Sequence, residues 1–224
     1  MSRVSQPTLC RPEGKSVDEQ RTSRKRRANG EESRRRILDA AVEVAVERGY
    51  DGTSIALVSK KSGLPASSIY WHFKDKDELI AAVIERSFGT WLALWVLPEG
   101  DGPRERFSAL ATLIGKALLD SPDFLRLGLM LTLERRPVEA SARRMFLQVR
   151  EQACRQVAAT LREVVPELPD ESVALLTTYA MAAADGLFIA KEIGGDSVDL
   201  VALFELHAHS LYDTAVRLSA PGRP

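Results

Sequence analysis

Residues 49–79 read GYDGTSIALVSKKSGLPASSIYWHFKDKDEL, and this stretch decides the fold. The pair Asp51-Gly52 marks a turn, and the hydroxyl of Thr53 or Ser54 can accept backbone N–H groups as the cap of a short helix. Gly63 ends that helix, because glycine readily adopts the left-handed conformation found at helix termini. We therefore predict a short helix between the cap and this glycine.

A second short helix follows, and a longer helix precedes both. Pro65 suits the first turn of a helix that runs from Ala66 to about Phe73, because its missing N–H would be unsatisfied there anyway. Towards the N-terminus, apolar residues at helical spacing begin after Ser33, and Gly49 stands where a helix end favours a left-handed residue. This succession is typical of the helix-turn-helix unit, whose last helix lies in the major groove of DNA.

The last helix of this unit and the residues just after it carry groups that can contact nucleic acid. These hydroxyl, aromatic and cationic side chains are Ser67, Ser68, Tyr70, Trp71, His72 and Lys76. Ile69 and Phe73 are four residues apart, so we expect them to face inward and hold the helix to its neighbours. On periodicity alone, a generic helical hairpin with a polar surface explains the pattern equally well.

The composition indicates a globular protein with an uneven distribution of charge. The chain has 224 residues, of which 45% are hydrophobic and 28% charged. Residues 1–36 carry 11 Lys/Arg against 5 Asp/Glu, whereas residues 81–224 carry 15 against 19. Charged residues interrupt the apolar runs, and the N-terminus is too polar for a signal peptide. We therefore expect a cytoplasmic protein, associated with the nucleoid, with a basic end that can meet a polyanion and no membrane contact.

Three segments of the N-terminal region together resemble the signature of the tetracycline-repressor (TetR) family. They are residues 49–54 (GYDGTS), 63–64 (GL) and 69–79 (IYWHFKDKDEL). The resemblance covers residues 33 to about 80, and the rest of the chain matches only in length and helical character. It implies a homodimeric regulator, usually a repressor, that binds a palindromic operator on double-stranded DNA and releases it when a small effector enters the C-terminal domain.

Carried over by position, the resemblance assigns roles to individual residues. It makes Thr53 and Ser54 caps and phosphate contacts, and it places Lys76 on a phosphate at the start of the fourth helix. It places the remaining side chains at the DNA: Ser67, Ser68, Tyr70, Trp71 and His72. Plainer interpretations are a solvated surface lysine at Lys76, a half-buried core aromatic at Tyr70, and packing alone at His72.

We predict an all-α fold with an N-terminal helix-turn-helix domain and a larger helical domain for effector binding and dimerisation. Beyond Asp75 the pattern is helical, with breaks that give about six further helices. The predicted divisions are a basic flexible tail over residues 1–30, the DNA-binding domain over 31–80 with the helix-turn-helix at about 54–73, the larger domain over 81–218, and a short tail over 219–224. Whether the basic tail contacts DNA or is only solvated stays open.

The larger domain contains candidates for a ligand pocket, because such pockets are mostly aromatic and aliphatic. The candidates are Trp91, Trp95, Phe107, Phe124, Arg126, Met130, Phe146 and Asp185. Taken singly, each apolar candidate is more often plain core. Arg126 and Asp185 stand in apolar runs, and a buried charge needs a partner in the protein or on a ligand.

Two apolar segments near the C-terminus, residues 171–193 and 198–218, are each long enough for an interface helix. The first combines small residues that let helices approach closely with larger side chains around them. Packed about a two-fold axis, two copies of the pair would form a four-helix bundle. The predicted interface residues are Tyr179, Ala183, Leu187, Leu203 and Leu211, and the alternative is a monomer that buries these helices internally.

Two other classes of protein compete with a regulator. An architectural DNA-binding protein would need the basic region but not a large apolar domain. A helical enzyme with an unrecognised site is disfavoured, because the sequence lacks a Gly-rich phosphate loop and a His-Glu-x-x-His motif. His207 and His209 are two residues apart and point away from each other on a helix. We expect no catalytic residue, no metal and no cofactor.

Overall fold

The computed structural model describes residues 17–133 and 141–220, with side chains from residue 27 onward. The N-terminal part contains α1 (Val17–Gly52), α2 (Ile55–Ser62), α3 (Ala66–His72) and α4 (Lys76–Leu92). The C-terminal part contains α5 (Pro103–Asp120), α6 (Asp123–Leu133), α7 (Ser141–Val164), α8 (Asp170–Gly194), a 3₁₀ turn (Gly195–Ser197) and α9 (Leu200–Ser219). The described ranges contain no strand, which confirms the all-α prediction and the six helices expected after Asp75.

The boundaries of the helix-turn-helix follow the predicted local signals. Gly49 adopts φ 68° and breaks α1 near its end, and Gly63 adopts φ 67° at the end of α2. The Ser54 hydroxyl accepts a hydrogen bond from the Leu57 amide at 3.3 Å and so caps α2. Pro65 occupies the N-cap of α3, one position before the first turn that the sequence predicted.

Helix α1 begins further towards the N-terminus than predicted. Residues 17–30, which were assigned to a flexible tail, continue the helix that was expected to start after Ser33. The segment lacks apolar periodicity but is rich in Glu, Gln, Arg and Lys, which are good helix formers. A tail assignment that rests on periodicity alone overlooks this propensity.

A continuous apolar core joins the two parts of the chain. Ile37, Val58 and Ile69 are fully buried and hold α1, α2 and α3 together, and Phe73 is 3% exposed, so the two inward-facing predictions are confirmed. Helix α4 packs against α1, α6 and α7, whereas α5 lies along α9 and α8 packs against α7 and α9. Helix α4 therefore belongs to both parts.

Helix α8 has the length and composition of a membrane-spanning helix. Residues 170–197 have a mean hydropathy of 1.6 over their most apolar window, and 28% of that window is buried within the chain. From the sequence, no membrane contact is expected, because charged residues interrupt the apolar runs. Core helices of globular proteins can have the same length and composition, and Asp185 is paired with Arg150 of α7. The low burial leaves one apolar face of α8 exposed.

Candidate functional site

Helix α3 presents large aromatic side chains to solvent. Tyr70 is 57% exposed and Trp71 76% exposed, and Ser67 is also exposed. The Trp71 ring stands edge-on to His72 with centroids 4.5 Å apart, and its tip lies close to Gly30 of α1. Buried aromatics are the rule in a core, so this exposure indicates a surface that meets a partner.

The two hydroxyl residues before α2 have different roles. Ser54 is exposed and forms the cap described above. Thr53 is 2% exposed, and its hydroxyl donates to the Gly49 carbonyl at 2.7 Å. The expected phosphate contact of Thr53 is therefore wrong, because its hydroxyl is buried in closing the kink at the end of α1.

Lys76 does not stand free in solvent. Its ammonium group donates to the Tyr50 carbonyl at 3.1 Å and lies 4.4 Å from the centre of the Tyr50 ring. The side chain is half-buried, and the hydrogen bond to Tyr50 uses one of its three N–H donors. A phosphate contact of Lys76 stays a prediction.

Two arginines of α1 support the helix-turn-helix and were not singled out from the sequence. Arg36 donates to the Ser62 carbonyl at 2.7 Å and so holds the end of α2, while Arg34 lies 5.4 Å from the centre of the Phe73 ring. Burial lowers the pKa of His72, and the Arg34 charge lowers it further. Both effects favour the neutral form of the His72 imidazole.

Asp77, in the first turn of α4, connects the DNA-binding domain to the larger domain. Its carboxylate accepts hydrogen bonds from the backbone amides of Ser141 at 2.5 Å and Ala142 at 3.0 Å, where α7 begins, and from the Tyr50 hydroxyl at 3.1 Å. Burial raises the pKa of Asp77, but these hydrogen bonds and one from the Ser141 side chain outweigh it and hold the pKa below its usual range. We call this set of contacts the Asp77 clasp.

An apolar cavity lies among α4 to α9. Its empty space is about 840 Å³, part of it open to solvent. Six of the predicted pocket residues line it: Trp91, Trp95, Phe107, Phe124, Phe146 and Asp185. The Trp91 ring packs 4.6 Å from Trp95 and 5.6 Å from Phe124, between centroids, so aromatic rings form one side of the wall. This aromatic and aliphatic lining is typical of a site for a small apolar ligand.

Two predicted pocket residues lie outside the cavity. Arg126 forms two hydrogen bonds to Glu192, at 2.8 and 2.9 Å, and the end of the Met130 side chain lies next to Gly49 of α1. Phe124 and Leu125 of the same helix do line the cavity. Only one face of α6 meets the cavity, and the apolar run in the sequence does not reveal which face that is.

The charge partner expected for Asp185 is Arg150 of α7. The guanidinium donates to both carboxylate oxygens, at 2.6 and 2.7 Å, and both residues line the cavity. Arg150 was missed, although it falls four residues after Phe146 and next to Val149 on the buried face of α7. The position of Arg150 among the buried residues of α7 was the sequence signal that could have revealed it.

The predicted interface residues occupy different depths. Tyr179 is 52% exposed, and Ala183, Leu187 and Leu203 are partly buried. Leu211 is 2% exposed and lines the cavity, so its assignment to an interface is wrong. The exposed face of α8 is a stripe with alternating spacings of four and three residues, which we call the α8 stripe: Leu175, Tyr179, Ala182, Gly186, Ile189 and Ile193.

The described structure defines an all-helical protein with an N-terminal helix-turn-helix and a cavity-bearing C-terminal domain. Residues 37–83 match the family model described as bacterial regulatory proteins, tetR family. This match covers the N-terminal part of the chain, where the sequence motifs indicated the same family.

The chain is also similar to individual regulators and solved structures. The chain is 40% identical over 62 residues to the HTH-type transcriptional regulator SrpR of Pseudomonas putida, which is 28% of this chain and 29% of that protein. The chain thus matches less than a third of the length of that relative. A transcriptional regulator of Aquifex aeolicus is 24% identical in sequence, with 81% of this chain and 99% of that chain covered at a TM-score of 0.64. The regulator FadR of Bacillus subtilis, solved in complex with stearoyl-CoA, is 20% identical in sequence. The match covers 79% of this chain and 96% of that chain at a TM-score of 0.67.

Proposed function

We propose that this chain is a ligand-responsive transcriptional repressor. It binds a palindromic operator as a homodimer and releases it when a small, largely apolar effector enters the cavity. The Asp77 clasp carries this proposal, because it ties the first turn of α4, next to the helix-turn-helix, to the helix that lines the cavity. The proposed location is the cytoplasm, in association with the nucleoid.

The exposed face of α3 supports a role in sequence recognition. Tyr70 and Trp71 can stack on sugars or contact base edges, and Ser67 can form hydrogen bonds in the major groove. One recognition helix reads one half-site, so tight and specific binding needs two copies related by a two-fold axis.

The α8 stripe supports the dimer. Its spacing is that of a seam between packed helices, and its small residues at positions 182 and 186 allow close approach. Leu206 of α9 is 62% exposed, and Tyr179 packs 5.8 Å from His207 between ring centroids, so α9 continues the surface. Exposed apolar surface of this kind is typical of a protein interface.

A substitution at Gly186 tests the dimer without disturbing the protomer. A Cβ atom added there would meet nothing within 4 Å, so Gly186→Arg fits the single chain but places a charge in the seam. The matched control is Gly89→Arg on α4, where a helical glycine is also exposed and equally open. We expect a folded monomer with weakened operator binding from Gly186→Arg and a dimer from Gly89→Arg, as measured by light scattering. A Gly186→Arg variant that remains dimeric would show that the interface lies elsewhere.

The cavity supports the proposed response to an effector. The related fold of FadR has been solved in complex with stearoyl-CoA, which supports a ligand with a long apolar chain in this architecture. An effector that changes the position of α7 also changes the Asp77 clasp. It therefore changes the placement of α4 beside the helix-turn-helix. The change in operator affinity cannot exceed the difference in the effector's affinity for the DNA-binding and the released state.

Selection of bound sequences from a random DNA pool, followed by footprinting of the best sequence, tests the proposal. We expect one inverted repeat with two protected half-sites. Uniform coating without an enriched sequence would instead support an architectural protein. Turnover of a substrate without any DNA binding would support the helical enzyme.

A further inference from the structure

Charges on the cavity wall are confined to one place. Among the described residues, the charged side chains that line the cavity are Arg150 of α7 and Asp185 of α8. They form a bidentate pair at 2.6 and 2.7 Å, which satisfies both carboxylate oxygens with the fork of one guanidinium. The two side chains are 24% and 21% exposed. The pair therefore contributes no net charge to a largely desolvated wall.

The other polar groups of the wall are neutral, and most are already paired. The Trp95 indole N–H donates to the Thr160 hydroxyl at 3.3 Å, and that hydroxyl donates to the Gln156 carbonyl at 2.9 Å. Burial lowers the pKa of His207, against an opposing hydrogen bond to the Ala180 backbone, and so favours the uncharged imidazole. The exception is the Trp91 indole N–H, which is buried without an acceptor among the described residues, but it is a neutral donor.

We propose that the effector is an uncharged molecule, and that the Arg150–Asp185 pair excludes ligands of either charge. A carboxylate can reach Arg150 only by displacing Asp185, which leaves a second carboxylate unpaired in the wall. An ammonium group must likewise displace Arg150. In either case a desolvated charge loses its partner, which is a large penalty, whereas a neutral ligand leaves the pair intact. This inference rests on the proposed effector cavity and specifies its ligand class.

The dimensions of the wall suit an elongated apolar ligand. Arg150 and Thr160 line the cavity ten residues apart on α7, which corresponds to about 15 Å along the helix. The wall between them includes Ala153 and Val157, which present aliphatic surface. A straight alkyl chain with different end groups is therefore a suitable set of probes.

The test compares decanol, decanoate and decylammonium at pH 7.5 and below micelle formation. Binding to the full chain is measured by calorimetry and by the fluorescence of Trp91 and Trp95 in a Trp71→Phe background. We expect decanol to bind at least about tenfold more tightly than either ion. If decanoate or decylammonium binds as tightly as decanol, the inference is wrong while the proposed effector cavity stands. If none of the three binds, both fail.

Variants of the pair give opposite predictions for the two ions. Asp185→Asn leaves the guanidinium without its carboxylate and should raise the affinity for decanoate about tenfold, whereas Arg150→Gln should do the same for decylammonium. The matched control is Glu192→Gln, which breaks the equally bidentate pair with Arg126 outside the cavity and should leave the preference for decanol unchanged. Should a single variant fail to fold, the wild-type comparison decides alone. A Glu192→Gln protein that also gains decanoate would overturn the assignment to Arg150 and Asp185.

Discussion

Replacing Asp77 by Asn removes the charge of the clasp while keeping its shape. The carboxylate accepts hydrogen bonds from two backbone N–H groups at the start of α7 and from the hydroxyls of Tyr50 and Ser141. Hydrogen bonds to a charged group contribute about 1.5–3 kcal/mol, and a carboxylate at a helix N-terminus contributes about 0.3–1 kcal/mol. Asn retains one acceptor oxygen, and the site is partly exposed, so we expect a loss of about 1–2 kcal/mol in the free energy of unfolding. The melting temperature should fall by about 3–6 °C.

The pH dependence of this loss is fixed by the direction of the pKa shift. The pKa of Asp77 is lowered in the folded state, so its stabilisation is complete above the ordinary value of about 3.9 and disappears as the pH falls through the lowered value. The difference between wild type and Asp77→Asn in urea unfolding should therefore be constant from about pH 8 to 5 and shrink below about pH 4. Equal stability of the two proteins at pH 7 would refute the reasoning.

Asp199→Asn is the matched control for the clasp. The Asp199 side chain accepts a hydrogen bond from the Ala202 amide at 3.0 Å and caps its own helix, so Asn replaces it well. We expect a small change in stability and none in the coupling between ligand and DNA. In Asp77→Asn, the factor by which a cavity ligand weakens operator binding should fall towards one. A coupling factor that is unchanged in Asp77→Asn would remove the clasp from the proposed mechanism.

Further substitutions test the cavity wall and the DNA surface. Gly128→Ala would bring its new methyl group within 1.9 Å of the Phe146 ring. Despite the gain in helix propensity, we expect the free energy of unfolding to fall by about 1–3 kcal/mol and the cavity to change shape. Wild-type stability in thermal unfolding would argue against this packing. Lys76→Ala should weaken binding to all DNA sequences alike and lower the salt slope by about one unit per subunit; unchanged affinity at every salt concentration would remove the phosphate role. Trp71→Ala should change the preferred bases in a binding selection, and an unaltered preference would leave Trp71 as packing against α1.

Local signals predicted the N-terminal architecture well. Gly49 and Gly63 end helices through backbone conformations that few other residues adopt, and Ser54 caps the helix between them. Ile69 and Phe73 face the core because their spacing gives them one helix face. These features depend on residues a few positions apart, so a sequence is sufficient to predict them.

Features that depend on distant neighbours were harder to predict. Thr53 and Ser54 are adjacent hydroxyl residues, and only the packing at Gly49 determines that the first is buried. Asp185 was expected to need a partner, but its pairing with Arg150 requires knowledge of how α7 and α8 pack. Leu211 belongs to an apolar helix whose two apolar faces, one towards the cavity and one outward, look alike in sequence.

Reciprocal coupling between cavity and operator tests the central claim most directly. The measurement is the dissociation constant of decanol, determined by calorimetry for the wild-type dimer alone and for the dimer saturated with its selected operator. Because linkage is reciprocal, a ligand that releases DNA must itself bind more weakly when DNA is bound, by the same factor. We predict weakening of about fivefold or more, within the usual range of allosteric coupling. Equal affinity for decanol with and without operator would contradict the account.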